Sequence, residues 1–245
     1  MAQIERKSAV DLTDPTLVEG FPGVGLVGKI AADHLVEEFE MTHHANVYCE
    51  GIPKVAVYQE DDAELHPPVR LYADEDTDLV VLQSDVPIQP TAATELATCL
   101  SEWFEEHSVT PIYLSGIPRE KGDGAPTLYG LGVGEGVALV DRAGIEAPHE
   151  TGLVSGPTGV LLNAAVEADR TAIGLVVESD PRFPDPEAAR VLIKQGIETL
   201  TGTEVSVDDL VERAEQIRQA KERLAKRMQE AGDESTQARP IGMYQ

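Results

Sequence analysis

Basic residues are scarce in this chain. Its 245 residues hold 19 lysines and arginines against 44 aspartates and glutamates, and the resulting formal net charge of -25 is spread along the whole sequence. Nucleic acids and anionic membranes attract basic surfaces, so the composition predicts that neither is a partner. A solvated acidic surface favours solubility in concentrated salt, where screening weakens the repulsion between carboxylates. We therefore expect a halophilic protein.

Cysteines and long hydrophobic runs are also few. Cys49 and Cys99 are the only cysteines, and without a secretory signal they are expected to be reduced, buried thiols. Residues 1–7 have no apolar core, and the longest uncharged run, residues 151–166, is short and contains glycine and proline. The sequence therefore predicts a cytoplasmic protein without a membrane span. With 42% hydrophobic residues, the chain can bury one large core or two small ones without cross-links.

Strand patterns alternate with helix patterns over the first 202 residues. Buried apolar runs and β-rich segments predict strands at 16–21, 45–50, 54–58, 78–83, 110–114 and 172–178, and amphipathic or capped segments predict helices at 29–40, 91–107, 136–143, 158–168 and 185–200. The last helix has Asp185 as its cap, Pro186 at its first position and Gly202 as its stop. This alternation predicts an α/β domain over residues 1–202, with a mostly parallel central sheet covered by helices on both faces.

A different pattern follows Gly202. Ser206 and Asp209 resemble a capping box, and residues 203–231 are predicted to form an amphipathic helix. Its apolar residues repeat every 3.5 residues over three heptads, interrupted by Lys221, which favours self-association through Leu210, Ala214, Ile217, Leu224 and Met228. Residues 205–231 contain six acidic and six basic residues, so this helix is neutral on an acidic protein. The alternative is a helix that folds back on its own domain.

The last segment, residues 232–245, is too polar and too rich in glycine, proline, serine and threonine to bury itself, and it is predicted to be a mobile tail. It ends in Met243, Tyr244 and Gln245. An apolar residue, a tyrosine and a free carboxylate form a peptide ligand, because tyrosine offers a large contact area and a carboxylate is captured by lysine or backbone N–H groups. The alternative is a frayed terminus without function.

A glycine motif lies between the first predicted strand and the first predicted helix. Gly23, Gly25 and Gly28 match the G-x-G-x-x-G pattern of dinucleotide-binding proteins, and Glu50 ends a later strand, as a ribose-binding acid would. Pro22 before the motif, and the Glu19-Gly20 pair that interrupts the strand, depart from that pattern. The motif therefore permits two interpretations, a nucleotide site or a structural turn in which glycines allow close helix packing.

A second glycine-rich stretch spans residues 122–136, with six glycines in fifteen residues. From Gly130 to Gly136 the glycines recur every second residue, which indicates an extended segment whose backbone lies close to another element. Arg119 and Lys121 lie beside this stretch and are interpreted as part of a solvated loop.

Catalytic and metal motifs are not recognisable in the sequence. His43 and His44 are adjacent and point to opposite sides of an extended chain, and the other histidines have no ligand spacing. No serine lies in a G-x-S-x-G turn, and no P-loop lysine motif is present. We therefore predict no metal, no cofactor and no enzymatic activity.

Several of these motifs together resemble one known family. The segment Glu19 to Gly28 (EGFPGVGLVG), the strand at residues 78–83, the turn and helix of Ser155 to Leu162 (SGPTGVLL) and the segment Asp185 to Ala189 (DPEAA) are similar to the archaeal proteasome assembly chaperone family. The resemblance covers residues 16–231. The final hydrophobic-Tyr-any sequence separately resembles the ends by which proteasome activators dock between α-subunits of the core particle.

This resemblance implies a three-layer α/β/α sandwich without established catalysis that forms a homo-oligomer, with a tetramer favoured, and works on the proteasome core particle. The tail would dock into pockets of the α-subunit ring. Assembly chaperone and ATP-independent activator remain equally open. The alternative function is a nucleotide-dependent enzyme, ligase-like or dinucleotide-binding, that uses the Gly23–Gly28 loop.

Overall fold

Eight strands form one twisted layer in the computed structural model, which describes residues 3–59, 63–119, 125–182, 184–210 and 212. The strands are β1 (Gln3–Arg6), β2 (Thr16–Gly20), β3 (Thr42–Tyr48), β4 (Val69–Asp74), β5 (Leu79–Ser84), β6 (Thr110–Pro118), β7 (Leu128–Val133) and β8 (Ala172–Ser179). Their order across the sheet is β1-β3-β4-β5-β2-β6-β8-β7.

The sheet is mixed, which corrects the prediction of a mostly parallel one. Strands β5, β2, β6 and β8 run parallel in the centre. The other four of the seven pairings among the described strands are antiparallel. Buried apolar runs indicate strands that are covered on both faces, but they do not determine strand direction. The outer strands β1, β3, β4 and β7 are thus antiparallel to their neighbours, a direction that the sequence patterns did not predict.

Helices cover both faces of this sheet. They are α1 (Val27–Glu38), α2 (Pro90–His107), α3 (Gly136–Arg142), α4 (Gly156–Glu167), α5 (Pro186–Val191) and α6 (Glu198–Thr201), with a π-helical turn (Leu192–Ile197) joining the last two. Apolar residues of α1, α3 and α5 share one core with one face of the sheet. Those of α2 and α4 share a second core with the other face. The described chain is thus a three-layer α/β/α sandwich, as predicted.

The start of α5 confirms the predicted cap. The Asp185 carboxylate accepts a hydrogen bond from the Ala188 N–H at 3.2 Å, and Pro186 occupies the first position of the helix. Gly202 ends the helical run with a φ of 74°, a conformation that glycine adopts without strain.

Three local predictions need correction. Residues 54–58 form no strand, and only Val57 makes a single bridge, to His66. Strand β4 lies where no strand was predicted. Strand β2 continues through Glu19 and Gly20, because the Glu19 carboxylate has hydrogen-bonding partners inside the protein.

The alternating glycines behave as predicted. Gly130 and Gly132 lie in β7, and a Cβ at Gly132 would lie 2.3 Å from the backbone nitrogen of Val137 in α3. Gly136 approaches β8 equally closely, since its Cβ would lie 2.1 Å from the Ala172 carbonyl oxygen. The glycines therefore allow α3 to pack directly on the edge of the sheet.

The chain beyond Gly202 first packs against its own domain. Val205 and Leu210 are 0% and 2% exposed and belong to the same core as α1 and α5. The His34 ring donates a hydrogen bond from Nε2 to the Ser206 carbonyl at 2.6 Å. No helix in the described ranges is long and apolar enough to cross a membrane. The domain boundary at residue 202 remains a prediction, and so do the helix to residue 231 and the tail, most of which lies outside the described residues.

Candidate functional site

The glycine turn after β2 is a tight packing element. Residues Val24–Leu26 form one 3-10 turn between β2 and α1, and Gly25 has a φ of 61°. A Cβ at Gly25 would lie 1.9 Å from Ser179 Oγ, and a Cβ at Gly28 would lie 3.3 Å from Leu114 Cβ. Backbone conformation and close contact with the end of β8 therefore both require glycine at position 25.

Gly23 differs from its two partners in the motif. The nearest atom to a Cβ at Gly23 is the Phe21 carbonyl oxygen, 4.0 Å away, and its φ of -141° is accessible to other residues. The three glycines predicted to form a structural turn thus have unequal roles, since only two of them are held by close packing.

A crevice borders the turn at the carboxyl ends of the parallel strands. It has a volume of about 390 Å³ and is lined by the turn, the end of β6 and the segment leading into α4, including Val24, Ile117, Leu153 and Pro157. Open α/β sheets commonly bind ligands at such an edge, where successive connections change faces. The described lining contains no Asp, Glu, Lys or Arg. A phosphate in this crevice would meet no basic side chain of the described lining and would depend on backbone N–H groups.

The strand order separates the two halves of the dinucleotide pattern. Glu50 follows β3, and β4 and β5 lie between β3 and β2 in the sheet. In dinucleotide-binding folds the ribose-binding acid follows the strand beside the glycine turn. Glu50 is therefore not placed to bind a ribose held at Gly23–Gly28.

Glu19 lies fully buried beneath the crevice. Its carboxylate accepts hydrogen bonds from the N–H groups of Phe21 at 2.9 Å and Leu114 at 3.3 Å, and from Thr158 Oγ1 at 3.1 Å. Burial raises the pKa of Glu19 to about 7, and the three hydrogen bonds partly oppose that shift. One side chain thus connects β2, β6 and α4.

Asp185 makes a second connection at the same edge. Its N–H donates to the Gly25 carbonyl at 2.8 Å, and its carboxylate accepts from Ser179 Oγ at 3.3 Å and from the Asp180 N–H at 3.1 Å. Three of the four segments on which the family resemblance rests, those around Glu19, Thr158 and Asp185, therefore meet at one edge of the sheet. Their observed contacts join secondary-structure elements to one another.

A charged network lies at the neighbouring end of β4 and β5. The Arg70 side chain is 0% exposed and pairs with Asp85 at 2.7 Å. It also donates to the Tyr72 hydroxyl, the Pro67 carbonyl and Gln83 Oε1 at 2.9, 2.6 and 3.0 Å. A buried guanidinium is stable only when paired in this way. This network is not evident from sequence patterns because its members are distant in sequence, although an arginine between apolar residues of β4 is a usable indication.

The same network continues onto α1. Lys29 Nζ lies 2.6 Å from Asp33 Oδ1 and 3.4 Å from Asp85 Oδ1, and the Gln83 amide donates to Asp33 at 2.5 Å. Each member contacts another member, so the network anchors α1 to the sheet. It does not present an unpaired charge to the crevice.

His43 and His66 lie close together in the structure, although they have no ligand spacing in the sequence. The His43 ring lies 5.4 Å from the His66 ring and 5.5 Å from the Tyr72 ring, measured between centroids. His44 points elsewhere and contacts Ser8 Oγ at 3.1 Å. Among the described residues no group of three or more His, Cys, Asp or Glu side chains is arranged to hold a metal ion.

The predicted interaction residues are only partly described. Leu210 is buried in the core of its own chain. The other predicted oligomerisation residues and the tail residues lie outside the described chain: Ala214, Ile217, Leu224, Met228, Met243, Tyr244 and Gln245.

Comparison with known proteins extends over nearly the whole chain. The sequence model of the PAC2 family matches residues 17–225. An uncharacterized protein of Methanocaldococcus jannaschii is 26% identical over 220 residues, which cover 89% of each chain.

Solved structures share the fold. The crystal structure of Pyrococcus furiosus PbaA, described as an archaeal homolog of proteasome-assembly chaperone, has a TM-score of 0.80 and 26% identity, covering 94% of this chain and 99% of that one. Pyrococcus furiosus PbaB, described as an archaeal proteasome activator, has a TM-score of 0.73 and 22% identity, covering 91% of this chain and 98% of that one.

Proposed function

This chain belongs to the PAC2 family, and from that membership we propose that it acts on the proteasome core particle, as an assembly chaperone or as an ATP-independent activator. The observation that carries the proposal is the similarity to PbaA over 94% of the chain. The fold shared with PbaB, an activator, is compatible with either role.

The proposed contact with the core particle is the end of the tail. Tyr244 would enter a pocket between α-subunits, with Met243 beside it, and the carboxylate of Gln245 would pair with a basic group of the pocket. One aromatic anchor contributes about 2 to 4 kcal/mol, and ordering a loose segment costs about 1 kcal/mol or more per residue. A single tail is therefore expected to bind weakly.

Several tails on one particle would overcome this weakness. Self-association through residues 203–231 would present several copies, and effective concentration then raises the apparent affinity roughly 10² to 10⁴-fold, provided the tails reach. Residues 232–245 span at most about 45 to 50 Å when extended. That length is sufficient to reach neighbouring pockets of a ring.

The edge of the sheet at the carboxyl ends of its parallel strands also supports a binding role. The crevice has an uncharged described lining, and the nearby polar groups of Glu19, Asp185 and Arg70 are engaged with protein partners. We therefore propose that the sandwich serves as a scaffold for the tail, without catalysis, metal or cofactor.

The test is co-purification with isolated core particle. The full chain is expected to retain the core particle, and a chain lacking residues 243–245 is expected to lose it. If the shortened chain still retained the core particle, tail docking would be contradicted, and the two proteins would have to bind through another surface.

The two roles are separated by what the bound chain changes. An activator increases peptide hydrolysis by mature core particle in the absence of ATP. An assembly chaperone instead increases the yield of core particle from separated subunits and leaves hydrolysis by the mature particle unchanged.

A further inference from the structure

Helices α2 and α4 leave a groove between them on the surface of the sandwich. The groove has a volume of about 780 Å³ and a floor of small residues that include Ala97, Gly159 and Ala164. Small side chains allow another backbone to approach closely. A narrower cavity of about 140 Å³ shares Ala97 and Ala164 with the groove and extends inward towards the start of β6. A groove that adjoins a smaller, mainly apolar cavity fits a partner segment with an anchoring side chain.

The inner cavity has the size and chemistry of an anchor pocket. Phe104, Val109 and Leu161 contribute apolar walls, and a cavity of about 150 Å³ is large enough for a benzene-sized group. Tyr113 also lines it, although this residue is only 2% exposed. No described side chain hydrogen-bonds the Tyr113 hydroxyl. Among the described residues, every fully enclosed side-chain polar atom has a hydrogen-bond partner. The Tyr113 hydroxyl has no such partner among these residues, so it is not fully enclosed and borders the cavity.

The edges of the groove are acidic. Glu102 and Glu105 on α2 and Glu167 on α4 line it, and all three are exposed. Arg170 is the one base among the described lining residues, and it is held by Glu105 at 3.2 Å and by the Ser101 carbonyl at 2.9 Å. A basic partner segment would therefore complement the groove.

The chain itself contains a segment of matching character. Residues 213–231 hold six basic and three acidic residues, a net charge of +3 on a chain of -25. On a helix, the positions beside the apolar stripe of Ile217 and Leu224 are held by Arg213, Arg218 and Arg227. Glu215, Glu222 and Glu230 fall on the outer side of such a helix, away from the stripe.

This charge pattern disfavours pairing of two such stripes with each other. In a coiled coil the positions flanking the stripe face their counterparts on the partner helix, so arginine would face arginine. An apolar groove with glutamates along its edges accepts the same stripe and offers charges of opposite sign.

The groove of the same chain lies on the opposite face of the sheet from Val205 and Leu210. The described chain ends on the face of α1 and α5, where Val205 and Leu210 are buried. The groove lies on the other face, between α2 and α4. The predicted helix over residues 203–231 would extend about 27 Å between positions 210 and 228, a geometry that would not carry it around the sheet edge.

We propose that residues 213–228 of one copy bind the α2–α4 groove of a second copy, with an apolar side chain in the cavity beside Tyr113. This proposal rests on the self-association part of the proposed function and names its receiving surface. It is independent of tail docking.

The first test is cross-linking between separately prepared chains. Cys49 and Cys99 are replaced by alanine in both, one chain receives Asn163→Cys in the groove and the other receives Ala220→Cys in the segment. Mixing and oxidation are expected to give a disulfide-linked dimer of the two different chains. The matched control replaces Asn163→Cys by Asp141→Cys on α3, which is expected to give no such dimer.

Two results would overturn the proposal. A cross-link that forms only when one chain carries both cysteines would place the segment in its own groove. An oligomer that forms but never cross-links at Asn163→Cys would place the interface elsewhere. Self-association and core-particle binding would still be measured separately in that case.

The second test reverses charges. Glu102→Arg with Glu167→Arg is expected to raise the dissociation constant of the oligomer roughly tenfold or more, and Arg213→Glu with Arg218→Glu in the same chain is expected to restore it. Asp141→Arg with Glu150→Arg changes the net charge equally outside the groove and is expected to have little effect. An equal response to both arginine pairs, or a monomeric wild type in light scattering, would overturn the proposal.

Discussion

Thr158 Oγ1 donates a hydrogen bond to the buried carboxylate of Glu19 at 3.1 Å, across 139 positions of sequence. The bond joins the central strand β2 to the first turn of α4. Since the Asp185 N–H binds the Gly25 carbonyl at the same edge, three distant segments of the chain are locked together there. This edge therefore joins β2, the glycine turn, α4 and the start of α5.

Glu19 should make stability depend on pH. Its pKa is about 7 in the folded protein against an ordinary 4.5, so folding favours the protonated carboxyl. The associated stability is complete below pH 4.5 and is lost as the pH rises through 7. The difference corresponds to about 3 kcal/mol.

The measurement compares the free energy of unfolding of the wild type and Glu19→Gln between pH 5 and 8. The variant is expected to lack the part of the slope that Glu19 causes, whatever its absolute stability. Parallel pH profiles for the two proteins would show that Glu19 does not titrate in this range.

The glycine turn should respond unequally to alanine. Gly25→Ala adds a Cβ 1.9 Å from Ser179 Oγ at a φ of 61°, and we expect a loss of about 2 to 4 kcal/mol in unfolding free energy. Gly23→Ala makes only an ordinary contact with the Phe21 carbonyl oxygen, 4.0 Å away, and is the matched control, with an expected change below about 1 kcal/mol. Equal losses in chemical denaturation would contradict the packing role.

Nucleotides should not bind the glycine turn. The described lining of the adjacent crevice is uncharged, and Glu50 is separated from the turn by two strands. Calorimetry with NAD, NADP and ATP at up to about a millimolar, a concentration at which even a weak specific site would be occupied, is expected to give no saturable heat. Saturable binding of any of these nucleotides would instead support the alternative function, a nucleotide-dependent enzyme.

Salt should stabilise the protein. A net charge of -25 makes the compact state self-repulsive, and molar KCl shortens the screening length to about 3 Å. The melting temperature is therefore expected to rise from low to molar KCl. A flat or falling melting temperature would remove the halophilic interpretation.

The sequence predicted the elements better than their connections. The Asp185 cap and the close approach at Gly132 follow from local chemistry, and both were predicted. Strand β4 was not predicted. Successive side chains of a strand point to opposite faces, and this places Arg70 and Tyr72 on a covered face where their partners come from distant segments. Glu19 was taken to interrupt β2 for the same reason, since Thr158 and Leu114 are far away in sequence. Strand direction likewise depends on long-range pairing that no local pattern encodes.

The most direct test of the central claim is the affinity of the core particle for Tyr244→Ala, measured beside Tyr58→Ala. Tyr58 is 80% exposed and lies outside the tail, so it controls for loss of a surface tyrosine. We predict that Tyr244→Ala abolishes detectable binding while its oligomeric mass and melting temperature stay those of the wild type, and that Tyr58→Ala binds normally. Wild-type affinity in Tyr244→Ala would contradict tail docking.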